Sequence, residues 1–398
     1  MNRMAWHILS ALWIPTLVLL HPGRLPACST AVFGPAATAD GAPMLWKNRD
    51  TDVLSNKVVF VQEKPFAFVG LVNASETSGR FVYAGLNAVG FAIFNSVAYN
   101  LPPPSAEEMK DLEGQIMSDA LRTCRSVDDF QAYLEKNLGA ALGSQANFGV
   151  FDAAGHAALF EAHNHGYQKM DAAAAPGGYL VNTNFSRSGP KGRGAGNLRF
   201  ERVSALLAGA PGRVSHRFVL DALARDFGHA LVRIPSLSDL EALPGKTPFY
   251  LSTEDAVCRA CTSAAVVIQG KRKGAHAPST LWVALGEPIC SLAVPLWVEA
   301  ASVPGPLFEG KDAPLYREAA RVRKLLRPFA ESDKVKYIDA TRLTNRERDG
   351  FLPALQKAQQ EIYQATADFL GARHTPAELA RFQDQTAAQA LSALQKIR

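Results

Sequence analysis

Between Cys28 and Gln269 turn residues cut the chain into short apolar runs, and this punctuation constrains the fold more than any other feature. Ser29 to Phe33 reads as a strand, Asp40-Gly41 as the turn that reverses it, and Met44 to Trp46 as its partner. Val58 to Val61, Phe68 to Val72, Phe81 to Ala84 and Phe91 to Phe94 continue the series, with a tight turn over Asn87 to Gly90. Ser105-Ala106-Glu107-Glu108 has the form of a capping box behind Pro102 to Pro104 and predicts a helix; Asp128 to Leu138 predicts a second. Phe148 to Phe151 and Ala157 to Glu161 flank a hairpin turn. Asn197 to Leu207 and Phe218 to Phe227 have helical spacing, and Ala264 to Ile268, Leu281 to Leu285 and Leu292 to Val294 return to strand character. Two stretches of strands separated by helices predict a layered α/β or α+β domain.

After about Leu307 the texture changes. Apolar residues recur at helical spacing through Leu315 to Phe329 and Phe351 to Phe369, and Thr375-Pro376-Ala377-Glu378 opens a further helix with a capping box. The expected organisation is a leader over 1–27, a catalytic domain over 28–306 and a helical C-terminal extension over 307–398.

The leader has the parts of a secretory signal. Arg3 is followed by an apolar stretch from Ala5 to Leu20, then by the breaker His21-Pro22-Gly23 and the small residue Ala27. The stretch is too short and interrupted to predict a membrane span. Export to a periplasmic or extracellular space is the expectation, and cleavage after Ala27 would make Cys28 the first residue. Leu25-Pro26-Ala27-Cys28 also has the outline of a bacterial lipobox, in which Cys28 would carry lipid and anchor an envelope protein. The two readings exclude each other, because acylation of the cysteine and its amine removes the chemistry described next.

A free N-terminal cysteine places a thiol and an α-amine, a nucleophile and a base, on one residue. Lys47 and Arg49 are candidates for a cationic field that favours the thiolate, and Asp50 for an anchor of the amine. Strand alternation sends Lys47 and Arg49 to one face and Asn48 and Asp50 to the other, so only a bend at the strand end brings both sets to Cys28. The net charge of +5 is too small and scattered to predict a nucleic-acid partner. Cys258-Arg259-Ala260-Cys261 has redox or zinc spacing without a second ligand pair; with Cys124 and Cys290 these cysteines read as a disulfide or buried thiols. Glu161, His163 and His165 share one strand face without a fourth ligand, so no metal is expected.

Cys28-Ser29-Thr30-Ala31, followed by Asp40 to Asp50, resembles the opening of the linear-amide C–N hydrolases of the N-terminal-nucleophile superfamily. That group includes choloylglycine hydrolases, penicillin V acylases and isopenicillin N acyltransferases. Gly85 to Asn95, Asn147 to Asp152 with Glu161, Asn182-Thr183-Asn184-Phe185, Asn197 to Arg202, Leu281 to Gly286 and Cys290 to Pro295 follow in matching order. The resemblance implies a four-layer αββα sandwich with the helical extension outside it. It implies Cys28 as nucleophile and base, Asp50 orienting the amine and Asn95 donating to the oxyanion. Asn184 would act beside the substrate or amine, and Arg199 would stabilise the charged site. Lys47, Arg49 and Asn182 are candidates for the charge field or the substrate. The bile salt branch has arginine where this chain has Lys47, which weakens a bile-salt-like substrate and leaves the chemistry intact. The implied activity is hydrolysis of a small N-acyl amide through an acyl-enzyme, with no cofactor. A dipeptidase, an acyltransferase or a lipid-anchored non-catalytic protein are the alternatives. A membrane enters only with a lipidated Cys28, and a homo-oligomer is left open.

Overall fold

The computed structural model describes residues 27–398, apart from 104, 106, 109, 140–141, 211, 273 and 330–332. The leader expected over 1–27 lies, save Ala27, outside the described residues. In chain order the strands are β1 (Ser29–Phe33), β2 (Met44–Asp50), β3 (Asn56–Val61), β4 (Phe68–Asn73), β5 (Ala84–Asn87), β6 (Ala92–Val97), β7 (Gln145–Phe151) and β8 (Ala157–His163). There follow β9 (Gly166–Asp171), β10 (Tyr179–Asn182), β11 (Tyr250–Ser252), β12 (Thr262–Gln269), β13 (Thr280–Leu285), β14 (Val294–Leu296) and β15 (Tyr337–Asp339).

A six-stranded sheet in the order β10-β1-β2-β12-β13-β14 faces a seven-stranded sheet in the order β3-β4-β5-β6-β7-β8-β9. Both are antiparallel. Leu45, Val266, Phe94, Leu71 and Leu159 belong to the core between them. Helices α1 (Glu113–Thr123) and α2 (Val127–Asn137) cover the outer face of the seven-stranded sheet. There Ile116, Leu121 and Phe130 meet Phe148 and Phe160 in a separate apolar layer. Phe130 packs edge-on to both rings, at centroid distances of 5.7 and 5.3 Å. Helix α3 (Asn197–Ala208) and the helices of the C-terminal segment cover the other sheet. The arrangement is the four-layer αββα sandwich that the resemblance implies.

The C-terminal helices close the edge of the six-stranded sheet, where β14 would otherwise present unpaired backbone. Gln359, on the helix Leu352–Phe369, accepts from Ala293 N at 2.7 Å and donates to Ala293 O at 3.1 Å. Gln383, on the helix Pro376–Gln395, donates to Ser302 O at 2.8 Å. Arg327, just past the helix Pro314–Leu326, forks onto the buried Glu287 carboxylate at 2.8 and 2.5 Å. Replacing Gln359 by Ala strips both buried backbone groups of Ala293 of a partner. We expect a loss of about 2 kcal/mol in denaturant unfolding; an unchanged midpoint would show that water replaces the glutamine.

Several elements depart from expectation. The pair at Ser105 forms, with Glu108 N donating to Ser105 Oγ at 3.3 Å and Ser105 N to the Glu108 carboxylate at 3.0 Å, but no helix follows it directly. Asp111 turns the backbone into the left-handed region at φ 49°, and α1 begins only at Glu113. Phe81 is turned onto Gly114 of α1, and the fifth strand starts at Ala84. The expected helix at Phe218 stops at Leu223, after a short π turn, and Asp226 leaves it to pair with Arg202. The strand expected at Leu292 to Val294 is Val294–Leu296. Strands β9 and β10 were not expected.

Candidate active site

Cys28 sits immediately before β1, and its backbone is gripped on both sides. Its nitrogen donates to Asn184 Oδ1 at 2.8 Å, and its carbonyl accepts from Arg199 Nη1 at 2.6 Å. The same nitrogen of Arg199 reaches Ser29 Oγ at 2.9 Å, while Nη2 reaches Asn184 Oδ1 at 2.9 Å. Asn184 Nδ2 donates to Val97 O at 3.0 Å, which ties this cluster to the opposite sheet. Arg199 lies in the first turn of α3, and Gly196 caps that helix at φ 83°. A side chain at Gly196 would strike the guanidinium, so this glycine admits Arg199 to the back of Cys28. The glycine-rich stretch from Lys191 to Gly196 therefore bridges back to Asn184 through Ala195 and serves as the approach to α3.

A cavity of about 330 Å³ opens in front of Cys28, with Lys47, Arg49, Asp50, Tyr83, Asn95 and Glu113 in its wall. Lys47 and Arg49 alternate on β2 and point to the seven-stranded sheet, where Lys47 Nζ donates to Asn95 Oδ1 at 2.6 Å and Tyr83 O at 2.9 Å. Arg49 lies 3.6 Å above the Tyr83 ring and donates to Asn56 Oδ1. Burial lowers both cations, Lys47 to about 8 and Arg49 to about 10.

Asp50 belongs by alternation to the opposite face, and it reaches the cavity as the last residue of β2, beside a bulge in β12. The pairing of β12 with β2 slips between Thr262 and Ala264, at the level of Asp50 and Arg49. The Asp50 carboxylate accepts from Thr262 Oγ1 and from Arg259 Nε, each at 2.7 Å. Asp50 was expected to hold the Cys28 nitrogen; in the uncut chain that partner is Asn184. Arg259 Nη2 also lies 3.5 Å from Ala27 O, the carbonyl that precedes Cys28.

Asn184 and Arg199 grip Cys28 from behind without lining the cavity, and Asn182 is the one candidate that reaches neither the cavity nor Cys28. It pairs across the sheet with Thr30, is fully buried, and its carboxamide has no hydrogen-bond partner among the described residues. Its chain neighbour two residues on, past the strand end, makes the contact instead. Glu161 is also committed elsewhere. Its carboxylate accepts from the backbone of Arg187 at 2.5 Å and of Ser188 at 2.7 Å, fastening the segment that follows Asn184. Cys124, Cys258 and Cys290 are buried thiols, and burial pushes each of them up.

Two residues of the site escaped the sequence reading. Arg259, which holds Asp50 without lining the cavity, was visible only as the filler of the Cys258 to Cys261 spacing. Glu113 looks like an ordinary first-turn helix acid, yet it is buried and accepts from Ser144 Oγ at 2.7 Å. Burial, and then the hydrogen bond with the neighbouring Asp111 carboxyl, push it well above the usual carboxylate range.

No family model matches the chain, and no curated protein matches its sequence. Solved structures similar to it include a penicillin V acylase from Agrobacterium tumefaciens, with TM-score 0.40 and 14% identity over 68% of this chain and 86% of that one. A Caenorhabditis elegans ortholog of N-acylethanolamine-hydrolyzing acid amidase gives 0.38 and 12%, over 61% and 92% of the two chains. A conjugated bile acid hydrolase from Clostridium perfringens gives 0.35 and 11%, over 65% and 89%.

Proposed function

We propose that this protein is an exported amidohydrolase that cleaves the linear amide of a small N-acyl compound with Cys28 as its N-terminal nucleophile. The observation that carries the reading is the position of Cys28. It stands directly before β1, its backbone fastened by Asn184 and Arg199, with a cavity at its side chain that sets Lys47, Arg49, Asp50 and Asn95 among apolar groups.

Removal of residues 1–27 converts the Cys28 nitrogen from an amide into an α-amine, still facing Asn184 Oδ1. The thiolate attacks the substrate carbonyl and forms a carbon–sulfur bond, and the α-amine passes the thiol proton to the leaving nitrogen as the carbon–nitrogen bond breaks. Asn95 contributes Nδ2 to the oxyanion, since its Oδ1 is taken by Lys47. Water, activated by the same amine, then hydrolyses the thioester. Asp50, Thr262 and Arg259 brace the end of β2 beside the amine. Each step uses protein groups and water, so the reaction as written needs no cofactor.

The burial of Cys28 weighs against the lipid-anchored alternative. At 7% exposure, with nitrogen and carbonyl both hydrogen-bonded within the fold, the residue is held in the interior rather than on a free terminal arm of the kind a lipid anchor uses. The test is the mass of the N-terminal peptide recovered from an exported fraction. An unmodified Cys28 at the terminus is expected; a diacylglyceryl or N-acyl mass on it overturns the proposal.

A further inference from the structure

Lys47 is a buried cation whose neighbours on the page specify what it does. It is 2% exposed and its ammonium meets two acceptors, the Tyr83 carbonyl and the Asn95 side-chain oxygen. An ammonium has donors only, so the atom of a carboxamide that it touches at 2.6 Å must be the oxygen. Asn95 has two planar orientations of nearly equal shape, and only one of them meets this cation. With Oδ1 so held, Nδ2 is the edge left over, and it has no hydrogen-bond partner among the described residues. The Tyr83 carbonyl anchors the ammonium from the other side, so it cannot follow the carboxamide if that turns.

We propose that Lys47 is the positioning residue of the oxyanion hole: its ammonium locks the Asn95 carboxamide with Nδ2 toward the reacting carbonyl. This rests on the reading of Asn95 as the oxyanion donor and deepens it. The consequence is a dependence of the rate on the charge of Lys47, acting through Asn95. When Lys47 loses its proton, Nζ gains a lone pair and can accept from Nδ2 as well as donate to Oδ1. Both carboxamide orientations are then satisfied, and in one of them an oxygen faces the developing anion.

The charged and titratable groups facing Lys47 are Cys28 ahead of β1, Arg49 and Asp50 on its own strand, Tyr83 ahead of β5, with its ring centroid 5.9 Å from Nζ, and Glu113 on α1. Burial and Arg49 lower its affinity for a proton, while Cys28, Asp50 and Glu113 raise it, leaving Lys47 at about 8. A lysine with a lowered pKa is charged below that value and neutral above it, so the lock holds at neutral pH and loosens on the alkaline side. Arginine at this position would keep its charge throughout that range.

A competing role for the same cation is the one read from the sequence, a field that favours the Cys28 thiolate. A double-mutant cycle separates the two. Lys47→Met should lower kcat by about 100-fold, the loss typical of one oxyanion donor, with KM changed much less. In an Asn95→Ala background the same substitution should cost nothing more, because there is no carboxamide left to orient. Lys47→Arg should recover much of the rate and should move the alkaline fall in kcat to higher pH. The rate at which iodoacetamide alkylates Cys28 should be little altered by Lys47→Met.

A full further loss in the Asn95→Ala background, or a matching drop in alkylation rate, assigns Lys47 to the thiolate and overturns the inference. Should Lys47→Met fail to fold, the alkaline limbs of Lys47→Arg and the unmodified enzyme decide alone, and identical limbs overturn it. If Asn95→Ala by itself leaves acylation unchanged, the oxyanion reading has failed, and this inference falls with it for that separate reason.

Discussion

Cys28→Ala is expected to abolish turnover completely while leaving the fold standing. The side chain contributes one sulfur to the cavity wall, whereas the contacts that hold the residue run through its backbone to Asn184 and Arg199. Alanine preserves both. It removes the only atom that forms the acyl-enzyme, and the remaining amine cannot replace a thiolate as nucleophile. The comparison to make is turnover against thermal unfolding in the same purified, leader-free preparation. An inactive enzyme with a native-like unfolding transition is the expected pair. Retained turnover would remove the acyl-enzyme mechanism altogether, and joint loss of activity and structure would call for Cys28→Ser, which keeps the volume more closely.

Asn95→Ala is expected to slow acylation by about 100- to 1,000-fold, near 3 kcal/mol of transition-state stabilisation, with a much smaller change in substrate binding. The magnitude follows from the site. The cavity wall is buried, Nδ2 is aimed by a bonded partner rather than by water, and a donor fixed before the reaction loses nothing to reorganisation. Pre-steady-state acylation of a chromogenic amide is the measurement, because it isolates bond formation to Cys28 from later hydrolysis of the thioester. An unchanged acylation rate would place the oxyanion elsewhere in the cavity, with Glu113 and its raised carboxyl the next donor to test.

Much of this site could be read before any fold was known. Cys28 stands out through the leader-like sequence before it and the strand after it, and Lys47, Arg49 and Asp50 through their density at the end of an apolar approach. Asn95, Asn184 and Arg199 came only with the order of the family motifs, since a single asparagine has no signal of its own. The structure brings Asn95 to the cavity and sets Asn184 and Arg199 behind Cys28, holding its backbone. Asn182 and Asn184 could not be told apart in sequence. They lie two residues apart, and the strand ends between them, so one stays buried in the sheet while the other turns to Cys28.

The same contrast runs through the fold. Most strands of the two sheets are legible because each is a short run buried on both faces that ends at a residue suited to turning, and both are local properties. The expected helix at Ser105 failed because a capping pair satisfies only its own turn, and Asp111 reverses the backbone shortly after. The helical character of the C-terminal segment was plain from its periodicity. Its attachment through Gln359 and Gln383 to the edge of the six-stranded sheet was not, because a polar residue on a helix face reads as solvent-facing until the partner strand is known. Sequence alone determined the candidate nucleophile, its charged neighbours in the chain and the sheet-rich character of the domain, for these depend on residue type and short-range order. Tertiary structure decided that Asp50 reaches the cavity at the end of β2, that Arg259 braces it, and that Lys47 holds Asn95. Those depend on pairings between strands far apart in the chain, which local periodicity does not encode.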